Sequence, residues 1–195
     1  PALSSAASDV YKRQTKTYRG DKMRRIITGH NKNGKSIITM DGPPARSIGE
    51  DVGGLFELWN TDGNDVNSSD DIDRADEDII LSPPDGGTKF RYFQINPLPE
   101  GVPEEIMQEI AADAFEKIGA AHHRIDTSKH PAMHKTDTVD YIILLKGDVT
   151  LILDEEEIDL KPFDVVVQRG TNHAWVNNGN DPALLIAVLV DSKIN

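Results

Sequence analysis

Short apolar runs broken by glycine, asparagine, aspartate and proline dominate the chain, and such runs predict β-strands. In residues 24–40, RRIITGHNKNGKSIITM, the β-branched runs Ile26-Ile27-Thr28 and Ile37-Ile38-Thr39 flank Asn33-Gly34. Asn-Gly tolerates positive φ, so this segment predicts a hairpin with a loop longer than the tightest type. Asp41-Gly42-Pro43-Pro44 ends it, because proline donates nothing to a ladder. Residues 54–60 (GLFELWN) and 88–95 predict two more strands, and the acidic, polar stretch 64–78 between them predicts an exposed loop. From Thr138 onward strands are predicted at 141–146, 149–154, 158–160, 165–168, 173–177 and 183–191, joined by tight connectors. Many short strands at regular spacing mean a barrel or sandwich. The absence of an internal repeat means one barrel.

Residues 103–119 follow a different period. Ile106, Ile110, Ala114 and Ile118 recur at fours, with Met107, Ala111 and Phe115 beside them, which predicts an amphipathic helix whose stripe packs on the core. Pro103 stands at its start, Glu104 and Glu105 occupy the first turn, and Gly119 is placed to stop it. The domain reading is therefore one all-β domain over residues 15–195. It comprises a hairpin at 24–40, a helical insertion at 98–129 and a barrel at 130–191. Residues 1–14 stand apart: SSAASDVYKRQ resembles the translation of a sequencing-library adapter, so this segment is expected to be a non-native or disordered tail without function.

Charge narrows the functions. Acidic residues outnumber basic ones 33 to 21, a formal net charge of -12, so the surface repels phosphate backbones and argues against nucleic-acid or anionic-membrane partners. The 195 residues contain no cysteine, which removes disulfides, thiolate metal sites and cysteine nucleophiles, and fits a reducing cytoplasmic setting. The apolar run 183–190 is too short to cross a bilayer as a helix.

Two histidine-bearing stretches carry the candidate chemistry. The first runs from His134 through Thr136, Thr138 and Asp140 to Gly147-Asp148. The second runs from Phe163-Asp164 through Gly170 and His173 to Asn177, with the glycine three residues before the histidine and the asparagine four after it. The pair resembles the cupin superfamily, and the wider chain, residues 24–190, resembles single-domain cupins of the type-2 conserved-barrel kind. That resemblance implies an all-β jelly-roll, or double-stranded β-helix, barrel with one inserted helix, and a homodimer formed through sheet edges. Aligned on Gly147, His134 takes the place of the family's first histidine and Asp140 that of its glutamate, while Thr136 stands where a second histidine is usual.

The resemblance implies His134, Asp140 and His173 as metal ligands and catalytic groups. The ion would be divalent Fe, Zn, Ni or Mn. Side chains two apart on a strand share a face, so a regular strand would aim His134, Thr136, Thr138 and Asp140 at the barrel interior. Asp140, one methylene shorter than glutamate, is then a third ligand or the partner that orients a histidine. The alternative is a hydrogen-bonded His134–Asp140 pair with His173 packed beside Trp175. Thr136, Thr138, Gln168 and Trp175 are the expected substrate-pocket residues. His30, His122, His123, His130, Arg169, Asn172 and Tyr141 are secondary candidates, each with an ordinary structural reading.

Three functions stay open on this footing. The first is a metal-dependent enzyme (dioxygenase, decarboxylase, lyase or isomerase type) acting on a small oxygenated organic molecule. The second is a non-catalytic binder of a small ligand, and the third a metal-free acid–base catalyst using His134 and Asp140.

Overall fold

The computed structural model describes residues 3–13, 23–49, 53–63, 66, 68–69, 71–98 and 100–193. Within them the chain is an antiparallel jelly-roll barrel. Its strands are β1 (Arg25–His30), β2 (Ser36–Gly42), β3 (Arg46–Ile48), β4 (Gly53–Thr61), β5 (Thr88–Ile95), β6 (Thr138–Lys146), β7 (Val149–Leu153), β8 (Glu157–Leu160), β9 (Val165–Arg169), β10 (His173–Asn177) and β11 (Ala183–Asp191). A six-stranded sheet, ordered β3-β4-β5-β11-β6-β9, faces a three-stranded sheet, β10-β7-β8, and β1 and β2 form a separate two-stranded hairpin.

The core lies where apolar residues on the inner parity of the two sheets meet. Leu144, Leu185, Leu151, Val149 and Leu160 are almost fully buried together. Each such side chain contributes on the order of 1.5–3 kcal/mol through burial. The turn before β7 depends on Gly147, whose φ of 97° and close approach to Ala183 (2.7 Å from a would-be Cβ) leave no room for a side chain.

Between β5 and β6 lies α2 (Glu104–Lys117), the inserted helix. Its stripe is half-buried rather than core: Ala111 is buried, while Ala114 faces solvent. Within the adapter-like segment, residues Ser5–Arg13 form a helix, α1, and Ser4 hydrogen-bonds Glu109 of α2 through its hydroxyl at 2.7 Å. The sequence expectation for residues 1–14 is a non-native or disordered tail without function; Pro1, Ala2 and Gln14 lie outside the described residues.

The hairpin ends at Gly42, before Pro43-Pro44, as the sequence predicts, and β3 beyond them pairs with β4 in the six-stranded sheet. One further detail differs from the sequence reading. The loop over 64–78 is not wholly exposed: a short 3-10 turn, Arg74–Asp76, buries Ala75, and Asp73 forms an ion pair with Arg25. Residues 64, 65, 67 and 70 of that loop lie outside the described ones. No helix among the described residues is long and apolar enough to cross a membrane.

Candidate functional site

His173 is the first residue of β10, and Gly170, at φ 57°, turns the chain from β9 towards it. His134 does not lie on β6, which begins four residues later at Thr138. A one-residue antiparallel bridge to His173 fixes it instead, each backbone N–H donating to the other's carbonyl at 2.9 Å. The regular strand expected from His134 to Asp140 is interrupted because the Lys135 N–H donates to the His123 carbonyl, 2.9 Å away, and not to a strand neighbour. Strand alternation still holds from Thr136: Thr136, Thr138 and Asp140 are buried, and Asp137 and Tyr141 are exposed.

The bridge places the two imidazoles side by side, with ring centroids 4.3 Å apart and planes at 45°. Phe115 of α2 packs on His134 at 4.7 Å, and Trp175 meets His173 edge-on at 5.6 Å. The Nδ1 of His134 lies 2.9 Å from the Ala132 carbonyl, and that of His173 lies 3.0 Å from the Thr171 carbonyl. A carbonyl only accepts, so each Nδ1 carries the proton and each Nε2 keeps a free lone pair. The Gln168 amide stands 3.1 Å from the same His173 nitrogen, but donates to the Thr171 carbonyl at 2.9 Å. Burial pushes the His134 imidazole down to about 3, helped by the neighbouring His173, and the His173 imidazole down to about 4. Both are neutral across the physiological range.

Across the barrel, strand register lines up a polar row. Asn60, Lys89, Leu189, Asp140 and Gln168 are successive partners across the six-stranded sheet, and all five are buried. Asp140 has its Oδ1 without a hydrogen-bond partner. Burial raises its carboxyl to about 6, against the opposing pull of the Thr138 hydrogen bond and the Arg91 charge. In the adjacent row Glu57 and Arg91 form an ion pair at 2.8 Å with both side chains 1% exposed, and Arg91 also donates to the Ile80 carbonyl at 2.9 Å. Burial lowers the pKa of Lys89, opposed by the charge of Glu57. One end of the barrel interior is thus polar and the other apolar.

Of the expected site residues, His134 and His173 meet each other. Gln168 joins them to Asp140, since it touches His173 and pairs in register with Asp140. Thr136 and Thr138 share a hydroxyl hydrogen bond of 2.7 Å, and Trp175 lies against His173 and Phe93. Among the described residues, no three histidine, aspartate or glutamate side chains come close enough to hold an ion between them. The ligand set of His134, Asp140 and His173 is therefore not gathered: Asp140 sits across Gln168 from the imidazoles. The donors that fit an ion are two imidazole nitrogens, one short of the three-ligand centre.

His122 and His123 form a turn whose His123 bonds the Ser82 hydroxyl at 2.8 Å; His130 accepts the Ala132 N–H at 3.1 Å; Arg169 is exposed. The sequence reading missed Asn60, Glu57, Lys89 and Arg91. Their signal was present in TKFRYFQI, where Lys89 and Arg91 share the inward parity with Phe93 while Phe90 and Tyr92 take the other.

The family profile described as "Cupin domain" matches residues 122–189. The "Cupin-domain-containing oxidoreductase srdD" of Neurospora crassa is 30% identical over 179 residues, covering 87% of this chain and 75% of that protein. The "Cupin-domain-containing oxidoreductase virC" of Hypocrea virens is 28% identical over 177 residues, covering 87% and 76%. The "Phomopsin biosynthesis cluster protein C'" of Diaporthe leptostromiformis is 29% identical over 165 residues, covering 80% and 71%.

Proposed function

The chain belongs to the cupin family, and we propose that it is an enzyme that moves a proton on a small, oxygenated organic molecule bound at the polar end of the barrel. The observation that carries this reading is the buried Asp140 carboxyl, with Oδ1 unpartnered, one residue across from the His134–His173 pair. A carboxyl near 6 populates both protonation states close to neutrality, which suits a group that takes a proton and returns it. The two neutral imidazoles offer Nε2 acceptors for a substrate hydroxyl, and Phe115 and Trp175 keep their surroundings apolar. Relatives named as oxidoreductases support an enzyme over a simple binder.

A second reading rests on a specific observation: with both Nδ1 protons given to carbonyls, the two free Nε2 atoms are ready-made donors for a divalent ion of the Fe, Zn, Ni or Mn class. When bound, such an ion supplies Lewis-acid or redox chemistry.

The test is solvent deuterium exchange into a panel of small ketones, hydroxy ketones and 2-oxo acids, followed by NMR, alongside metal analysis of untagged protein. The acid–base reading expects exchange that Asp140→Asn abolishes and chelator leaves intact. Exchange insensitive to Asp140→Asn, or stoichiometric metal lost in His173→Ala together with activity, replaces it with the metal reading.

A further inference from the structure

Five buried polar side chains crowd one end of the barrel interior, and four of them keep an atom without a hydrogen-bond partner. Lys89 is the second residue of β5, Asp140 the third of β6 and Asn60 the next to last of β4. Their shared row therefore lies just inside the strand ends, with Glu57 and Arg91 in the row below. Glu57 and Asn60, three residues apart, both face inward because Leu58 drops out of register with β5. A bulge of this kind re-aims the side chains beside it. The exposed Glu77 also acts on the Lys89 charge, which puts the row at the rim of the barrel and not in its apolar core.

The unpartnered atoms are of two kinds. Arg91 gives Nη2 to the Ile80 carbonyl at 2.9 Å and pairs Nε with Glu57, and its Nη1 has no acceptor. Asn60 gives Nδ2 to the Arg74 carbonyl at 3.3 Å, and its Oδ1, like Oδ1 of Asp140, receives no donor. A buried guanidinium nitrogen left bare carries a desolvation cost that a bound anion removes. Charge points the same way. Arg91 and Lys89 are two buried cations, and Glu57 answers one of them. Asp140, with its carboxyl near 6, gives up its charge close to neutrality, which leaves one positive charge in excess. In a chain of net charge -12, two inward cations at a rim reverse the local field and draw an anion in.

We propose that the substrate of the proton-transfer reading, on which this step rests, is a small monocarboxylic acid. Its carboxylate lies between Arg91 Nη1 and the Lys89 ammonium, and its carbonyl or hydroxyl turns to Asp140 and Asn60. Guanidinium and carboxylate match in charge and in planar shape. The oxygens of Asn60 and Asp140 accept from a hydroxyl or an enol. A neutral ketone, or the amide of the same skeleton, leaves Nη1 bare and the second cation unanswered. Such a site discriminates by charge more than by size. The substrates narrow to 2-oxo and hydroxy acids.

Binding is measured apart from turnover. Calorimetric titration, with saturation-transfer NMR as a second readout, compares 2-oxobutyrate and 2-hydroxybutyrate with their amides and with 2-butanone. The acids are expected to bind at least about tenfold more tightly than the amides, because only they answer the unpaired cation. Lys89→Met keeps the length of the side chain and removes its charge. It is expected to weaken acid binding by about tenfold while retaining the parent's circular dichroism. The parent's preference for acid over amide tests the site independently of that variant. Amides that bind as tightly as the acids overturn the proposal, as does Lys89→Met binding the acids with the parent's affinity. No acid binding at millimolar concentration assigns the unpartnered atoms to internal water and overturns it too. Acid binding without deuterium exchange leaves the carboxylate site standing and removes the proton-transfer reading. Exchange confined to neutral ketones, with no acid bound, does the reverse.

Discussion

β6 and β2 read alike as sequences, TVDYIILLK and SIITMDG, yet β6 alternates between buried and open positions while β2 is open almost throughout. The difference comes from their neighbours. β6 lies between β11 and β9, so its inner parity meets the facing sheet; β2 has β1 alone. Strand propensity makes the backbone extended in both cases, but burial, and with it stability, comes from what the rest of the chain places alongside. The barrel is complete within one chain, whereas the hairpin is formed but unsupported.

The ion pairs give the largest expected contrast. Glu57–Arg91 is sealed in the barrel and Arg24–Asp41 lies open on the hairpin, at 2.8 and 2.6 Å. Glu57→Gln strands a buried guanidinium and should cost about 3–5 kcal/mol in urea unfolding, because an unpaired buried charge keeps its desolvation penalty. Asp41→Asn should leave the midpoint unmoved. Comparable losses at both pairs would mean that the hairpin is as supported as the barrel.

Apolar truncation gives the next contrast. Leu185 is 0% exposed among Leu144, Leu151 and Ala187, so Leu185→Ala should cost about 2–5 kcal/mol. Ile38 is 59% exposed, and Ile38→Ala should stay within about 0.5 kcal/mol at dilutions where the chain is monomeric. A larger Ile38 effect that grows with protein concentration would locate its partner on another copy.

The contrast also explains what the sequence could reveal. Turn chemistry placed the barrel strands well: 88–95, 173–177 and 183–191 match β5, β10 and β11 residue for residue, because Asn, Gly and Pro mark their ends. The histidine pairing was legible in outline, since both histidines lie next to identifiable turns. The bridge that pulls His134 out of β6 was not, because it depends on the His123 carbonyl lying against Lys135, a contact with no local signature. The inward Lys89 and Arg91 were hidden by the ordinary rule that charged parity faces water, which a polar barrel interior reverses. How far a strand is buried could not be read from β2, for its composition matches that of a buried strand.

Acid should test the barrel's two imidazoles against its carboxyl. The histidines, held at about 4 and about 3, bind protons on unfolding whenever the pH lies below their ordinary 6.5. Each therefore removes about 1.4 kcal/mol of stability per pH unit as acid is added. Asp140 has the opposite sign. Its folded value of about 6 exceeds the ordinary 3.8, so its contribution is full below 3.8 and is lost as pH rises through 6. Two groups against one leave a net loss of about 1.4 kcal/mol per unit between pH 6 and 4, read from urea midpoints at several pH values. A flat profile would mean that the imidazoles are far more solvated than their packing against Phe115 and Trp175 implies.

The smallest effect isolates Asp140. At pH 7 its carboxylate is held, ionised, in a buried site where Oδ1 has no donor, so the folded chain carries a penalty that an uncharged side chain avoids. Asp140→Asn removes the charge at nearly constant volume but introduces an amide N–H that needs an acceptor, which offsets part of the gain. The expected outcome is stabilisation by about 1 kcal/mol at pH 7, a rise of roughly 2–4 °C in Tm for a domain of this size. The gain should vanish at pH 4.5, where the wild-type carboxyl is already protonated in the folded state. A variant that is more stable at neutral pH and inactive in proton exchange would mark Asp140 as strained for use, the usual trade of stability for chemistry. Destabilisation at both pH values would instead make the carboxyl a structural partner of Thr138 and Arg91, and would remove it from the acid–base role.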